Sequence, residues 1–302
     1  MENTLRFLIT GGTGFIGTYL RSRLLKEGHY LTIITRNPDQ YREEQAANQQ
    51  FIQWDSDLSG EIAKSDGVIN LAGQNLVGVR WTEKLKESIY KSRIDSTGKL
   101  VEAMKKADKK PGLFISASAA GFYGENGDRI VDESFPPGDD YLARVCQDWE
   151  AEALKAMDLG IRVAIPRMGI ALQDNGGMVG KMKLPFQLFV GGPVGHGKQY
   201  IPWIHMEDLC RALLYPVENE NLEGPYNANA PNPATMDELA SVMGRIMRRP
   251  AFFRVPEFVL KLVLGEGAGP VVTSLRNHPE KLLDKGFEFE FENLEEALAD
   301  IL

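Results

Sequence analysis

The sequence predicts an α/β fold, a doubly wound parallel sheet with helices on both faces, followed by a smaller C-terminal α/β cap. Three observations carry that expectation. Short apolar runs alternate with helix-period stripes through the first 170 residues. Glycine accounts for 30 of 302 residues, about a tenth against a usual ~7%, and many glycines fall where a strand would give way to a helix. The first such junction, Thr10-Gly11-Gly12-Thr13-Gly14-Phe15-Ile16-Gly17, spaces its glycines as G-x-x-G-x-x-G.

Residues 5–10 read as a strand, and Ile16, Leu20 and Leu24 at i, i+4 and i+8 put one apolar stripe on the helix after it. Gly28 stops that helix. Residues 30–35 form a second strand, closed by Asn37-Pro38, and residues 67–71 a later, buried one. A long helix spans about 82–107, with Leu100, Val101 and Met104 on one face. Residues 113–116 and 161–165 are two more strands, separated by a helix that begins near Asp139-Asp140. After about residue 170 the rhythm changes to Gly- and Pro-rich connections, including Gly176-Gly177 and Gly191-Gly192-Pro193, mixed with short helices. Thr235-Met236-Asp237-Glu238 is a capping box opening a helix, and Asn293-Leu294-Glu295-Glu296 opens the last helix in the same way.

The opening turn has a chemical reading because of its position between a strand and an amphipathic helix. Gly11 and Gly14, lacking Cβ atoms, permit a sharp turn and let a pyrophosphate approach backbone N–H groups; Gly17 lets the helix pack close to the strand. Gly11, Thr13, Gly14, Phe15, Ile16 and Gly17 are therefore expected at a dinucleotide. The second strand ends in Thr35-Arg36, where NAD-specific domains place an acidic group on the ribose 2′-hydroxyl. A basic residue there can pair with a 2′-phosphate, with Thr35 donating a hydroxyl, so NADP(H) is favoured over NAD(H). The expected organisation is a Rossmann-type NADP-binding domain over 1–170, with sheet contributions from about 200–230, and a substrate cap and C-terminal domain over 171–302.

Composition excludes several classes. Lys plus Arg is 34 against 42 for Asp plus Glu, a net charge of −8, which disfavours nucleic acid or an anionic membrane as partner. Two cysteines, Cys146 and Cys210, and four scattered histidines, His29, His196, His205 and His278, give neither a disulfide framework nor zinc-ligand spacing. Met1-Glu2-Asn3-Thr4 shows no basic region before a hydrophobic stretch, and the apolar segment around 252–264 is interrupted by Arg254, Glu257 and Lys261. The expectation is a cytoplasmic protein with a small-molecule substrate and no metal.

Asn70-Leu71-Ala72-Gly73, Ser116-Ala117-Ser118 before Phe122-Tyr123-Gly124, and the run from Pro202-Trp203-Ile204-His205 to Asp208 follow the opening turn. In that order they resemble the extended short-chain dehydrogenase/reductases. Arg80-Trp81-Thr82, Asp148-Trp149-Glu150, Gly191-Gly192-Pro193 and Leu264-Gly265-Glu266 resemble more narrowly its atypical "epimerase family" branch, which carries a C-terminal domain of unknown function. The resemblance implies that Leu71, Ala72 and Gly73 lie along the cofactor, that Ser118 corresponds to the active-site serine, and that the protein is a homodimer. Arg93 stands where usual members have an asparagine, adding a cation toward the cofactor phosphates or substrate.

The sequence departs from the family at its Tyr-x-x-x-Lys pair, whose lysine lowers the phenol pKa. One register places Leu142 and Cys146 at the two positions, the other Tyr141 and Val145; both lose the lysine. Ser118, Tyr123, Tyr141 and Cys146 are the candidate proton donors. Cys146 also reads as a small buried hydrophobe, and the tyrosines as packed side chains. His205 reads as a structural residue at the sheet-to-cap junction, Arg167 as a substrate contact or an ion-pair partner, and residues 178–189, with Lys181 and Lys183, as a pocket wall or a solvated helix. Two functions follow: an NADP(H)-dependent oxidoreductase or epimerase-like enzyme, or a non-catalytic NADP(H)-binding regulator.

Overall fold

A computed structural model of the chain describes residues 4–302; Met1-Glu2-Asn3, part of the stretch behind the expectation of no secretion, lies outside them. The main sheet contains β1 (Arg6–Thr10), β2 (Tyr30–Ile34), β3 (Gln49–Ile52), β4 (Gly67–Asn70), β5 (Leu113–Ser116), β6 (Arg162–Met168) and β7 (Gly224–Ala228). Their order is β7-β6-β5-β4-β1-β2-β3 and every pairing is parallel. Strand order reverses between β1 and β4, which opens a crevice at their carboxyl ends. A two-residue strand, Ser118–Ala119, also pairs with β6 and sets Ser118 opposite Arg167.

Alternation along the strands builds a core on each face of the sheet. Phe7 and Ile9 of β1 join Leu20 and Leu24 of α1 (Phe15–Lys26) in one core, whereas Leu8 joins the other. The second core takes Leu58 and Ile62 from α2 (Leu58–Ala63), Leu100 and Met104 from α3 (Glu83–Lys106), and Ala153 from α4 (Tyr141–Leu154). Gly28, at φ +84°, follows the end of α1 in the left-handed region. Thr82 and Asp140 cap α3 and α4 by accepting from Leu85 N–H at 3.2 Å and Ala143 N–H at 2.9 Å.

The C-terminal part has its own core. It combines Val179 and Phe186 of α5 (Gly177–Gln187) with Trp203, with Leu239 and Met243 of the helix Met236–Met247, and with Leu298 of the final helix Leu294–Ile301. Between α5 and that helix, α6 (Met206–Glu218) returns to the sheet and packs Leu209 and Leu213 beside α1. The capping box at Thr235 is reciprocal, with Thr235 N–H donating to Glu238 at 2.6 Å and Glu238 N–H donating back at 3.3 Å. The end at Asn293 corrects its expectation: Asn293 accepts from Glu295 N–H at 2.8 Å, with no return bond among the described residues. Arg167 lies inside β6, one residue before its end.

Candidate active site

The glycine-rich turn closes at the carboxyl end of β1, beside the reversal in strand order. Gly14 N–H donates to Gly11 O at 3.0 Å and Thr18 N–H to Gly14 O at 2.8 Å. Gly11 has φ +69°, and a Cβ there would stand 2.5 Å from Leu71 O. A Cβ at Gly17 would stand 2.1 Å from Gly11 O. Both glycines are thus fixed by contact: the chain after β4 and the start of α1 each meet the turn through backbone alone. Gly14 differs, because a Cβ there meets only Gly11 O at 3.2 Å. Gly14 is the exposed N-cap of α1 and no side chain caps that end, leaving the N–H groups and the dipole available to an anion. Phe15 is also exposed, its ring against Gly176 and Gly177, where added Cβ atoms would approach it to 2.4 and 3.2 Å. Thr13 and Ile16 are half-buried in the turn.

At the end of β2, Thr35 is buried and donates its N–H to Ile52 O at 2.9 Å, while Arg36 is exposed. Leu71 and Ala72 are half-buried and Gly73 is exposed at the end of β4.

Under this edge runs a sealed polar network. Thr10 Oγ1 donates to Asn70 Oδ1 at 2.6 Å; Asn70 Nδ2 donates to Thr97 Oγ1 at 2.8 Å and to Ser116 Oγ at 3.2 Å. Thr97 Oγ1 donates to Arg93 O at 2.7 Å and accepts from Trp149 Nε1 at 3.0 Å. Thr10, Asn70, Thr97 and Ser116 are fully buried, so this network ties β1, β4, β5, α3 and α4 into one rigid floor.

The candidate proton donors divide in two. Ser118 Oγ donates to Glu150 Oε1 at 2.6 Å. Arg167 grips the same carboxylate at 2.9 Å on each oxygen and donates to Tyr123 OH at 2.9 Å. Tyr123 OH donates onward to Asn227 Oδ1 at 2.7 Å. Arg167 also lies 3.4 Å above the Phe122 ring. All of these polar residues are buried. Burial pushes the Tyr123 hydroxyl up to about 12, with Arg167 working against the shift. Ser118 and Tyr123 are therefore parts of a closed network, and Arg167 is an ion-pair partner.

Tyr141 and Cys146 lie on α4. Tyr141 is half-buried, and its hydroxyl donates to Lys86 O at 2.6 Å. Its ring lies 5.7 Å from that of Trp81, and burial raises its pKa. Cys146 is buried 3.9 Å from Ala119 O; burial and the Glu150 carboxylate push its thiol up to about 12 against the pull of Arg93. Arg93, half-buried on α3, stacks at 5.2 Å on the Trp149 ring, and its Nη1 donates to Ile89 O at 3.1 Å and Gln74 O at 3.3 Å. The structure brings Arg93, Tyr141 and Cys146 into one electrostatic group: the first acts on the pKa of both others.

Glu150 and Asn227 were not singled out as site residues from the sequence. The available signal for Glu150 was an acid one helical turn after Cys146, on a face that must be buried; Asn227 lies in a distant strand and left none. His205 caps α6 by accepting from Glu207 N–H at 3.2 Å and packs on Phe291, 3.9 Å between ring centres. Lys181 donates to Val77 O at 2.7 Å and Lys183 pairs with Asp174. A groove of about 230 Å³ lined by Arg6, Tyr30 and Gln49 lies at the amino ends of the strands, away from this chemistry. Among the described residues no cluster of three or more His, Cys, Asp or Glu could hold a metal ion, and no helix is long and apolar enough to cross a membrane.

Known proteins resemble this chain over its whole length. An epimerase family protein SDR39U1 homologue of Arabidopsis thaliana, described as chloroplastic, is 36% identical over all of this chain and 88% of its own. The epimerase family protein YfhF of Bacillus subtilis is also 36% identical, over 99% of this chain and 98% of its own. The crystal structure of human epimerase family protein SDR39U1 (isoform 2) with NADPH matches with a TM-score of 0.87 and 33% identity, over 98% of this chain and 99% of that one. A UDP-glucuronic acid 4-epimerase from Bacillus cereus, solved with UDP-glucuronic acid and NAD, shares the fold at a TM-score of 0.78 and 20% identity, over 98% of each chain. The family profile described as NAD dependent epimerase/dehydratase matches residues 7–229, and that of a domain of unknown function, DUF1731, matches residues 255–301. The chain accordingly belongs to the NAD dependent epimerase/dehydratase family, as an epimerase family protein of the atypical short-chain dehydrogenase/reductase type that carries the DUF1731 domain.

Proposed function

We propose that the protein is an NADP(H)-dependent oxidoreductase or epimerase-like enzyme acting on a small hydroxyl- or carbonyl-bearing substrate. One observation carries the cofactor reading. At Gly11 and Gly17 a Cβ would collide with backbone, whereas at Gly14 it would project from an uncapped, exposed helix N-terminus. That cradle fits a pyrophosphate. Gly11, Thr13, Gly14, Phe15, Ile16 and Gly17 would surround it, Thr35 and Arg36 would take the 2′-phosphate, and Leu71, Ala72 and Gly73 would follow the cofactor across the crevice. Arg93 adds a cation on the nicotinamide side, for cofactor or substrate. The NADPH in the human relative supports the choice of NADP(H). When bound, the cofactor supplies or accepts a hydride at its nicotinamide; the chain's part is to hold and orient it.

One observation favours a second reading, a non-catalytic NADP(H)-binding regulator. Ser118, Tyr123 and Tyr141 each donate their proton to a protein acceptor, and the Tyr123, Tyr141 and Cys146 pKa values are all raised. Titration with NADPH and NADH, by fluorescence or calorimetry, tests the cofactor claim. We expect NADPH to bind more tightly and Arg36→Ala to remove that preference; failure to bind either nucleotide defeats both readings. Steady NADPH turnover sensitive to Tyr141→Phe or Cys146→Ala would select the enzyme, and tight binding without turnover the regulator.

A further inference from the structure

We infer that Arg93 is the oxyanion-binding residue of this site and takes a carboxylate of the substrate, which is then a small hydroxy- or oxo-acid. The inference rests on the cofactor reading above only for what lies beside the acid.

Its first support is an uncompensated charge. Arg21, Arg23, Arg167 and Arg211 each hold a carboxylate. Arg93 holds none among the described residues, and the titratable groups acting on it are Cys146 and Tyr141. Both are neutral at neutral pH, since their pKa values are raised. A guanidinium stays protonated even where burial lowers its pKa, so the locality carries one net positive charge. A monovalent carboxylate balances it; a phosphate dianion would leave one negative charge unmatched.

Donor geometry gives the second. Only Nη1 is engaged, by the carbonyls of Gln74 and Ile89. Nε and Nη2 have no partner among the described residues, yet neither is among the sealed, unsatisfied atoms of the protein, so solvent reaches them. Together they form the edge of the guanidinium fork that fits the two oxygens of a carboxylate. A Cβ at exposed Gly73 would stand only 3.1 Å from both Cζ and Nη2; glycine leaves that side of the guanidinium uncovered.

Position and rigidity complete the argument. The phosphate cradle belongs to the β1–α1 turn, whereas Gly73 leaves β4 on the other side of the strand reversal, where the nicotinamide half of a dinucleotide lies. An acid held by Arg93 is therefore placed beside the end of the cofactor that reacts. Trp149 supports the guanidinium from one face, itself pinned through Thr97 to the backbone of Arg93, so little ordering is left for the ligand to impose.

The test is calorimetric titration with oxamate, a monovalent carboxylate, and with its neutral analogue oxamide, of the whole protein with and without NADPH. Wild type should bind oxamate and not oxamide. Arg93→Met should weaken oxamate binding at least tenfold while leaving NADPH affinity within about twofold, and Arg93→Lys should recover part of the loss. Gly73→Val, a change at an exposed position that covers Nη2, should also weaken oxamate binding and so keeps the claim testable if Arg93→Met fails to fold. Oxamate binding absent from wild type, or equal in Arg93→Met, overturns the inference. So does a tenfold loss of NADPH affinity in Arg93→Met, which would assign Arg93 to a cofactor phosphate. If wild type binds no NADPH, the cofactor reading falls, while the oxamate arm without nucleotide still decides the role of Arg93.

Discussion

Arg167 holds Glu150 with two parallel donations of 2.9 Å, from Nε to Oε1 and from Nη2 to Oε2, and the side chains are only 5% and 6% exposed. The pair is a structural joint between β6 and α4, with Ser118 bonded to the same carboxylate. Removing one partner of a buried pair strands the other charge, at a cost of about 3–5 kcal/mol, whereas replacing both with apolar groups is often close to neutral. Glu150→Leu and Arg167→Met should each lower stability by roughly that amount, and the double variant by much less than the two combined. Urea unfolding of the four proteins checks this; single losses within 1 kcal/mol would show that water reaches the pair.

Tyr123 and Tyr141 should respond unequally to loss of the hydroxyl. Tyr123→Phe leaves Arg167 Nη1 and Asn227 Oδ1 short of a partner in the interior, costing about 1–3 kcal/mol. Tyr141 is half-buried and loses one bond to a backbone carbonyl, worth about 1 kcal/mol. Thermal denaturation should therefore rank Tyr123→Phe well below Tyr141→Phe. If turnover exists, it should track stability in the first variant and fall by far more than the small stability loss explains in the second. A catalytically silent but fully stable Tyr123→Phe would contradict the assignment of Tyr123 to the buried network.

The fold was legible where its causes are local. The expected helix over 82–107 is α3, Glu83–Lys106 with Thr82 as its cap, because stripe and cap both lie within the segment that forms it. The strand over 67–71 is β4, fully buried between β1 and β5. By contrast β3 is only Gln-Gln-Phe-Ile, and it exists because β2 offers it an edge. The site divides along the same line. The glycine turn is a local pattern and was readable, but the partner that holds Ser118 is Glu150, 32 residues away, and Tyr123 reaches Asn227, 104 residues away. Spacing carries no information about such bonds, so hydroxyls that read as candidate acids from sequence alone are found holding the interior together.

The three turn glycines should separate folding from binding. Gly17→Ala forces a Cβ to 2.1 Å from Gly11 O, a backbone atom that cannot step aside, so a loss of about 1–3 kcal/mol is expected. Gly11→Ala adds strain at φ +69° to its clash with Leu71 O. Gly14, with φ −85° and a single close approach for its Cβ, 3.2 Å from Gly11 O, should tolerate alanine within about 1 kcal/mol and yet lose NADPH affinity at least tenfold, because the added methyl stands where the pyrophosphate would approach. Melting temperature and NADPH titration on the three variants distinguish the cases, and unchanged NADPH affinity in Gly14→Ala would move the phosphate site elsewhere.

The two buried thiols should dominate stability at mildly alkaline pH. Burial pushes both Cys146 and Cys210 from an ordinary 9.0 up to about 12, helped by Glu150 beside the first and Glu207 beside the second. Below pH 9 the thiols are neutral whether the chain is folded or not, and their contribution to stability is fully present. As pH rises above 9, the unfolded chain releases protons that the folded chain retains, so stability falls until the folded thiols themselves ionise near 12. The loss approaches about 1.4 kcal/mol per pH unit for each thiol. Tyr19, Tyr123 and Tyr226, each raised by burial from 10.0, begin to add to the loss as pH approaches 10. Urea midpoints measured under reducing conditions between pH 8 and 9.3 should therefore fall in wild type, fall less steeply in Cys146→Ala or Cys210→Ala, and fall least in the double variant. A double variant as steep as wild type would mean that the thiols titrate alike in both states and that water reaches them in the folded protein.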